Sequence, residues 1–223
     1  MKINKLDLLR LVRVVKSTGL NEVKIDEAGK FGTVSADGGM FLFGKGISLG
    51  KKVGFLDLTV LQSMLNAIPT NDIVIDFQEP KMVITGSNLI FGYRLGSTDL
   101  IAGYGEDKLA EFEKGDWATG TFMFEELSNI KNLARALSIN KIGFEEVEGS
   151  LNVNIGDKQL FYGEVKLMGV KLDKKVEFLA PKITAIFDVL DENRITLSFM
   201  KGEKKIMKIA TKDFVWIVGG LIE

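Results

Sequence analysis

The sequence predicts an α+β protein built from two tandem repeats, each in the order helix, antiparallel strands, helix, strands. The stretch ITAIFDVLDENRITLSF (183–199) repeats the hydrophobic pattern of LQSMLNAIPTNDIVIDF (61–77) at an offset of 122 residues. The same offset aligns ELSNIKNLARALS (126–138) with the N-terminal segment. Both of these segments have apolar residues at the i, i+3, i+4, i+7 spacing of an amphipathic helix. One offset that aligns two separate helix pairs indicates an internal duplication.

In the first repeat, strands and a second helix follow the N-terminal helix. The strands EVKID, KFGTVSA and GMFLFG are separated by glycine-containing turns, and the second helix covers 58–68. The strands DIVIDF, KMVITG and LIFGYRLG complete the repeat. Many of these segments alternate apolar with polar residues, as antiparallel sheets with one buried face do.

The second repeat has the same order. The strands KIGFEEV, SLNVNIG, QLFYGEV and KVEFL precede its second helix, and RITLSF, KKIMKIA and DFVWIVG follow it. We therefore predict an N-terminal domain at 1–104 and a C-terminal domain at 119–223. The segment between them, 105–118, is rich in acidic residues and predicts a surface connector, for which its composition fits a solvated loop equally well.

Composition narrows the function. The chain has no cysteine and no histidine, which excludes disulfides, thiolate chemistry and the usual zinc sites, and removes the commonest general base. We expect no catalytic residues, no metal and no cofactor, although the composition is also compatible with an enzyme that uses only carboxylates, lysine or bound Mg²⁺. No apolar run is long enough to span a membrane, and the charged N-terminus is not a signal peptide. These features predict a soluble, cytoplasmic, non-enzymatic protein.

Two helices segregate basic residues from acidic ones. Segment 2–18 has a net charge of +4, although the whole chain has a net charge of −1. On the helical wheel, Arg10, Arg13 and Lys16 lie opposite the apolar face. The first helix of the second repeat presents Lys131 and Arg135 on its polar arc. A segregated basic face suits binding to a phosphate backbone, which needs charge but no reading of the base sequence.

The whole pattern resembles the DNA sliding clamps, the processivity factors of replicative polymerases. Two tandem domains of about 110 residues are similar to the trimeric branch, which includes proliferating cell nuclear antigen and phage clamps. The start MKIN…LLRLVRVVKSTGL is similar to the phage-type N-terminus, and the end DFVWIVGGLIE resembles the clamp C-terminus.

The resemblance implies a homotrimer that closes a six-domain ring by pairing of edge strands, with helices lining the hole. It implies duplex DNA, a DNA polymerase and a clamp loader as partners, and the cytoplasm of a bacterial host if the chain is phage-encoded. It places the following residues in the ring interior, against DNA: Lys5, Arg10, Arg13, Lys16, Lys131, Arg135 and Lys182.

The resemblance also implies an apolar pocket for partner peptides under the connector, between the domains. The matching positions lie after the second strand, in the connector and near the C-terminus. They are Met40 and Phe41, then Leu109 and Phe112, then Ile217, Gly219 and Gly220. Cellular clamps often have Ala-Pro where Gly219 and Gly220 stand. Core packing is an equally good interpretation of Phe41 and Ile217.

Three other interpretations fit the sequence. One is a monomeric or dimeric processivity subunit with the same fold, held on DNA by its basic face. Another is a structural β-rich protein that does not act on DNA. The third is an enzyme that uses carboxylates near Glu145, Glu146 and Glu148, although neighbouring residues of a strand point to opposite faces.

Overall fold

The computed structural model describes residues 1–157 and 161–221, so the first residues of the predicted strand QLFYGEV lie outside the described residues. The chain divides into two compact units, one formed by 1–36 and 42–107 and the other by 37–41 and 108–223. Among the described helices, none combines the length and the apolar character needed to cross a membrane. The α+β class predicted from the repeat is confirmed.

The first unit contains two helices and antiparallel strands. In chain order its elements are β1 (Lys2–Asn4), α1 (Lys5–Lys16), β2 (Val23–Ile25), β3 (Lys30–Val34), β4 (Met40–Lys45, of which Met40 and Phe41 belong to the second unit), β5 (Val53–Phe55), α2 (Leu58–Ala67), β6 (Asp72–Gln78), β7 (Lys81–Gly86) and β8 (Leu89–Gly96). A sheet with the strand order β1-β6-β7-β8-β5-β2 carries the helices, and α1 packs on α2. The apolar faces of both helices are buried, as their spacing predicts.

The second unit repeats this arrangement. Its elements are α3 (Glu106–Glu113, which begins two residues before the unit does), β9 (Trp117–Met123), α4 (Phe124–Ala136), β10 (Lys141–Val147), β11 (Ser150–Asp157), β12 (Phe161–Met168), β13 (Val176–Leu179), α5 (Ala180–Phe187), β14 (Arg194–Met200), β15 (Ile206–Ala210) and β16 (Phe214–Gly219). One sheet runs β12-β11-β10-β13, and strands β16-β15-β14-β9 run in that order in another. Helix α4 packs on α5.

The offset of 122 residues holds for the later part of each repeat. Strand β6 and strand β14 are separated by 122 positions at both ends, and so are Asp57 and Leu179, the N-cap residues of α2 and α5. The first helices follow a different offset, because their N-caps, Asn4 and Met123, are 119 positions apart. Strand pairing agrees, since Asn4 lies opposite the first residue of β6 and Met123 opposite the first residue of β14.

The acidic connector is a helix, not a loop. Helix α3 has Glu106 and Asp107 in its first turn, where carboxylates interact favourably with the helix dipole. None of its residues is buried. The side chain of Phe112 packs on Phe41, with ring centroids 5.3 Å apart. The connector is therefore an ordered element that rests on the second unit through an aromatic contact.

Helix α2 begins at a cap that is sensitive to pH. The carboxylate of Asp57 accepts a hydrogen bond from the amide of Val60 (3.0 Å) and another from the side chain of Asn21 (3.0 Å). These bonds lower the pKa of Asp57 below its usual value, the bond from Val60 most of all. The backbone N–H of Asp57 donates to the hydroxyl of Tyr93 (2.8 Å), which fixes the residue before the helix begins.

We expect Asp57→Ala to lower the thermal unfolding midpoint at neutral pH, because the amide of Val60 loses its acceptor. The pKa of Asp57 is lower in the folded state than in the unfolded state. The ionised cap therefore stabilises the protein fully at pH values above the unfolded-state pKa of about 4, and this stabilisation is lost as the pH falls through the folded-state pKa. Asp57→Asn keeps an acceptor that does not titrate, and its midpoint should depend less on pH in that range. Equal midpoints for Asp57→Ala and the unmodified protein at pH 7 would contradict the assignment.

Candidate nucleic-acid and partner interfaces

On helix α1, Arg13 and Lys16 make no ion-pair contact with a carboxylate among the described residues. Arg13 is exposed and Arg10 is half-buried. The ammonium of Lys16 donates to the hydroxyl of Thr59 (3.1 Å) and to the side-chain carbonyl of Gln62 (3.0 Å), both on α2. These acceptors are neutral and orient the ammonium, and Lys16 also interacts electrostatically with the carboxylate of Asp57 without an ion-pair contact.

Lys5, which the resemblance to sliding clamps places in the ring interior, does not lie on this exposed face. It is only 8% exposed, and its ammonium donates to the backbone carbonyl of Ile68 (2.5 Å), the C-cap residue of α2. A carbonyl at a helix C-terminus has no donor within its own helix and carries partial negative charge, so a lysine stabilises it. Sequence reasoning missed this position, although the helical spacing of Lys5 from Leu8 and Val12 is a signal that could have placed the lysine on the apolar face.

In the second unit, the cations of α4 share one carboxylate. The ammonium of Lys131 lies 3.5 Å from Oδ1 of Asp188, and the guanidinium of Arg135 donates to Oδ2 of the same side chain. Asp188 is the C-cap residue of α5. The side chain of Arg135 is 55% exposed and that of Lys131 only 16%. The structure therefore brings these two predicted residues together, but with an anion between them.

Lys182, which the resemblance places against DNA, contacts a side chain of its own unit. Its ammonium forms an ion pair with Asp37 (2.7 Å), and a Cβ added at Gly39 would lie 2.2 Å from the same nitrogen. The side chain of Lys182 is 17% exposed. It therefore holds the turn at 37–39 against α5, and this contact occupies the charge that was predicted to face DNA.

The predicted carboxylate cluster is dispersed. Glu145 accepts a hydrogen bond from Asn154 (2.5 Å), Glu146 is exposed on the next position of β10, and Glu148 lies in the turn with φ of +52°. In residues 1–157 and 161–221, no group of three or more acidic side chains is arranged to hold a metal ion.

The residues of the predicted peptide pocket all belong to the second unit. Met40 and Ile217 are each 2% exposed and are part of its core. Phe41, Leu109 and Phe112 are half-buried, and the contact between the rings of Phe41 and Phe112 joins two of them. The prediction therefore divides into core residues and a partly exposed apolar cluster, which we call the Phe41 cluster (Phe41, Leu109 and Phe112).

The two glycines at the end of β16 differ in what surrounds them. The amide of Gly219 donates to the carbonyl of Gly39 (2.9 Å), and the amide of Gly220 donates to the carbonyl of Lys205 (2.6 Å). A Cβ at Gly220 would lie 2.7 Å from Cβ of Lys205 and 2.9 Å from its carbonyl oxygen. A proline at 220 would also remove the donor of that hydrogen bond. The Ala-Pro pair of cellular clamps therefore does not fit this backbone.

Gly220→Ala should reduce the free energy of unfolding by about 1–3 kcal/mol, because backbone and Cβ atoms of Lys205 must move to admit the methyl group. Gly219→Ala is the matched control. Its Cβ would meet only the carbonyl oxygen of Gly39, at an ordinary 3.5 Å. Chemical denaturation of both variants measures the difference, and equal stabilities would show that the backbone near Lys205 adjusts without cost.

Strands β8 and β12 are among the described strands that have an open edge, a feature that sequence reasoning did not locate. Strand β12 is hydrogen-bonded only to β11 among the described strands. Strand β8 pairs with β7 along its length, but with β5 only at Leu95 and Gly96. Both carry highly exposed apolar side chains, Ile90 on β8 (71%) and Met168 on β12 (73%). Unpaired strand edges with apolar side chains are templates for pairing with another chain.

Solved structures of DNA sliding clamps have the same fold as this chain. Proliferating cell nuclear antigen from Entamoeba histolytica has a TM-score of 0.74 at 15% identity, with 99% of this chain and 98% of that chain covered. PCNA from A. fulgidus, solved with the C-terminal region of FEN-1 bound, has a TM-score of 0.76 at 11% identity. The match covers 100% of this chain and 98% of that chain.

Bacterial clamps are similar over part of their length. The beta subunit of DNA polymerase III from Thermotoga maritima has a TM-score of 0.69 at 12% identity, and this chain spans 64% of it. No protein-family model matches the sequence, and no curated protein does. The fold is thus that of the sliding clamps, which confirms the resemblance predicted from sequence at the level of the fold.

Proposed function

We propose that this chain is a non-catalytic sliding clamp, which encircles duplex DNA as a homotrimer and tethers a DNA polymerase for processive synthesis. The observation that carries the proposal is a likeness of fold to two-domain clamps over the whole length of both chains. In the proposal, a clamp loader places the ring on DNA, and a partner polymerase docks at the Phe41 cluster. The protein itself makes and breaks no covalent bond.

The basic side chains of α1 and α4 support a weak, sequence-independent contact with phosphates. Arg13, Lys16 and Arg135 are the cations whose positions favour this role, whereas Lys5 and Lys182 are held by other groups. About three phosphate contacts from one chain would lose roughly 40-fold in affinity between 50 and 200 mM salt. Such a contact cannot retain the protein on DNA at physiological salt, so retention must come from the topology of the ring.

The open edges of β8 and β12 support assembly. In the second unit, the segment 37–41 lies beside β16, where the amide of Gly219 donates to Gly39. Strand β8 lies next to β7 in its sheet, as β16 lies next to β15 in the second unit. Among the described residues, however, most of the free edge of β8 is not paired with another segment. Pairing of β8 with β12 of another copy would cover both edges. Such a contact joins two different surfaces, and head-to-tail contacts of this kind close rings.

The native mass in solution tests assembly first. One chain has a mass of 24.6 kDa, so light scattering at several concentrations should give three times this value, about 74 kDa, for the closed ring. A constant 24.6 kDa at every concentration, with DNA present or absent, would contradict the trimer and favour the monomeric processivity subunit.

Topological retention on DNA tests function. Dissociated subunits should be mixed with a closed circular plasmid, concentrated to allow ring closure, and passed over a sizing column in high salt. We expect the protein to elute with the circle and to be released when a single cut linearises the plasmid, because a ring slides off free ends. A trimer that never elutes with the circle, or that remains bound after linearisation, would contradict encirclement.

Charge on the open edges should prevent assembly without unfolding the chain. We expect Ile90→Lys combined with Met168→Lys to reduce the native mass to that of one chain, because lysines on an edge strand oppose edge pairing. Val74→Lys is the matched control. Its side chain is 48% exposed on β6, but both edges of that strand are already paired, with β1 and β7. Loss of the trimer in the Val74→Lys control as well would remove the evidence for these edges.

A further inference from the structure

A carboxylate lies among the cations that the second unit would offer to DNA. We propose that Asp188 restrains Lys131 and Arg135 and thereby weakens the contact of the second unit with duplex DNA, so that the first unit supplies most of the phosphate binding. This inference rests on the proposed function, since it concerns how the clamp holds its duplex.

The geometry places both cations on one carboxyl group. Oδ1 of Asp188 lies 3.5 Å from Nζ of Lys131, and Oδ2 accepts a hydrogen bond from Nη2 of Arg135. The backbone N–H of Asp188 donates to the carbonyl of Thr184 (3.0 Å), so the residue is fixed at the end of α5. Its side chain is 37% exposed. A phosphate that approaches Arg135 must therefore compete with an anion already in place.

The charges show what the carboxylate changes. Two cations and one anion leave a net charge of +1 at this position, where the cations alone would give +2. Exposed ion pairs are weak because water screens them, so a phosphate can displace Asp188 from Arg135. The displaced carboxylate would then repel the same phosphate. Asp188 thus reduces the affinity for DNA without abolishing the contact.

The first unit has no carboxylate at the corresponding position. The offset of 122 that relates the N-caps of α2 and α5 places Asp188 opposite Asn66, which is neutral and exposed. The offset of 119 that relates α1 and α4 places Arg135 opposite Lys16, whose hydrogen bonds go to the neutral Thr59 and Gln62. Asp57 acts on Lys16 through a weak electrostatic interaction, not through an ion-pair contact. The two repeats therefore hold equivalent cations in different ways, one with neutral acceptors and one with an anion.

Asp188→Asn tests the inference, because it gives the second unit the residue that the first unit already has. Binding to a short labelled duplex should be followed by fluorescence anisotropy over a series of salt concentrations. We expect tighter binding and a slope of log K against log salt that is steeper by about 0.9 for each phosphate gained. Glu203→Gln is the matched control, since it removes one negative charge at an exposed turn far along the chain from α4.

The gain should depend on the two cations. In a protein that already carries Lys131→Ala and Arg135→Ala, the further change Asp188→Asn should not increase the affinity for the duplex. A second comparison leaves Asp188 intact: Arg13→Ala with Lys16→Ala should flatten the salt slope more than Lys131→Ala with Arg135→Ala. This comparison holds even if Asp188→Asn disturbs the end of α5, which the thermal unfolding midpoint would reveal.

The outcomes separate this inference from the proposed function. If the α1 variant weakens binding but Asp188→Asn leaves both affinity and slope unchanged, the DNA-binding face stands and the role of Asp188 is wrong. An equal gain from Glu203→Gln would show an effect of net charge alone, which also overturns the inference. If the unmodified protein binds no duplex at any salt concentration and is not retained on circular DNA, both the proposed function and the inference fail.

Discussion

The amide of Gly219 donates to the carbonyl of Gly39, and with this bond the segment 37–41 becomes part of the second unit although the chain on either side of it belongs to the first. Two side-chain contacts hold the same segment: the ion pair of Asp37 with Lys182 and the packing of Phe41 on Phe112. A strand edge carries unpaired backbone N–H and C=O groups. Burying them without hydrogen-bond partners costs free energy, and leaving them exposed allows pairing with another chain. The edge of β16 is thus covered within one chain, whereas β8 and β12 keep open edges among the described strands. In the proposed trimer, the need to cover strand edges, which ties segment 37–41 to the second unit, would also favour pairing of β8 with β12 of another copy.

Helix packing decides which cations can reach an anion. Helix α1 buries seven of its twelve residues, including Lys5, so the basic face is narrower than the charge of segment 2–18 suggests. The buried lysine satisfies a carbonyl at the end of α2, and Lys16 bridges to the start of the same helix. Two of the five cations between residues 2 and 16 therefore help to hold the pair α1 and α2 together. Arg13 is the member of this helix whose exposure most favours contact with DNA.

The sequence predicted the repeat, the strand alternation and four of the five helices, because apolar periodicity reports which face is buried. It missed the shift from 122 to 119 in the first helices, since a helix with apolar residues at i, i+3 and i+4 matches itself again after a slip of three residues. It also missed the helix at Glu106–Glu113, which buries no residue and so has no strong apolar stripe. The partners of Lys131, Arg135 and Lys182 are distant in sequence, and no pattern within one element could identify them.

A sliding clamp must hold its duplex without stopping on it, and the charges of this chain are consistent with that requirement. A net charge of −1 gives no general attraction to a polyanion, so only the local arrangement of cations can contact phosphates. Lys16 is oriented by neutral groups, Arg135 is shared with a carboxylate, and Lys5 and Lys182 are engaged elsewhere. In the proposed clamp, each contact that these cations make with phosphate would be weak and would read no base, so moving by one base pair would exchange equivalent phosphates at little cost in free energy. Strong binding by the same helices would oppose sliding. In the proposed clamp, retention on DNA would therefore come from ring closure, and closure would depend on the edges of β8 and β12 rather than on the basic residues.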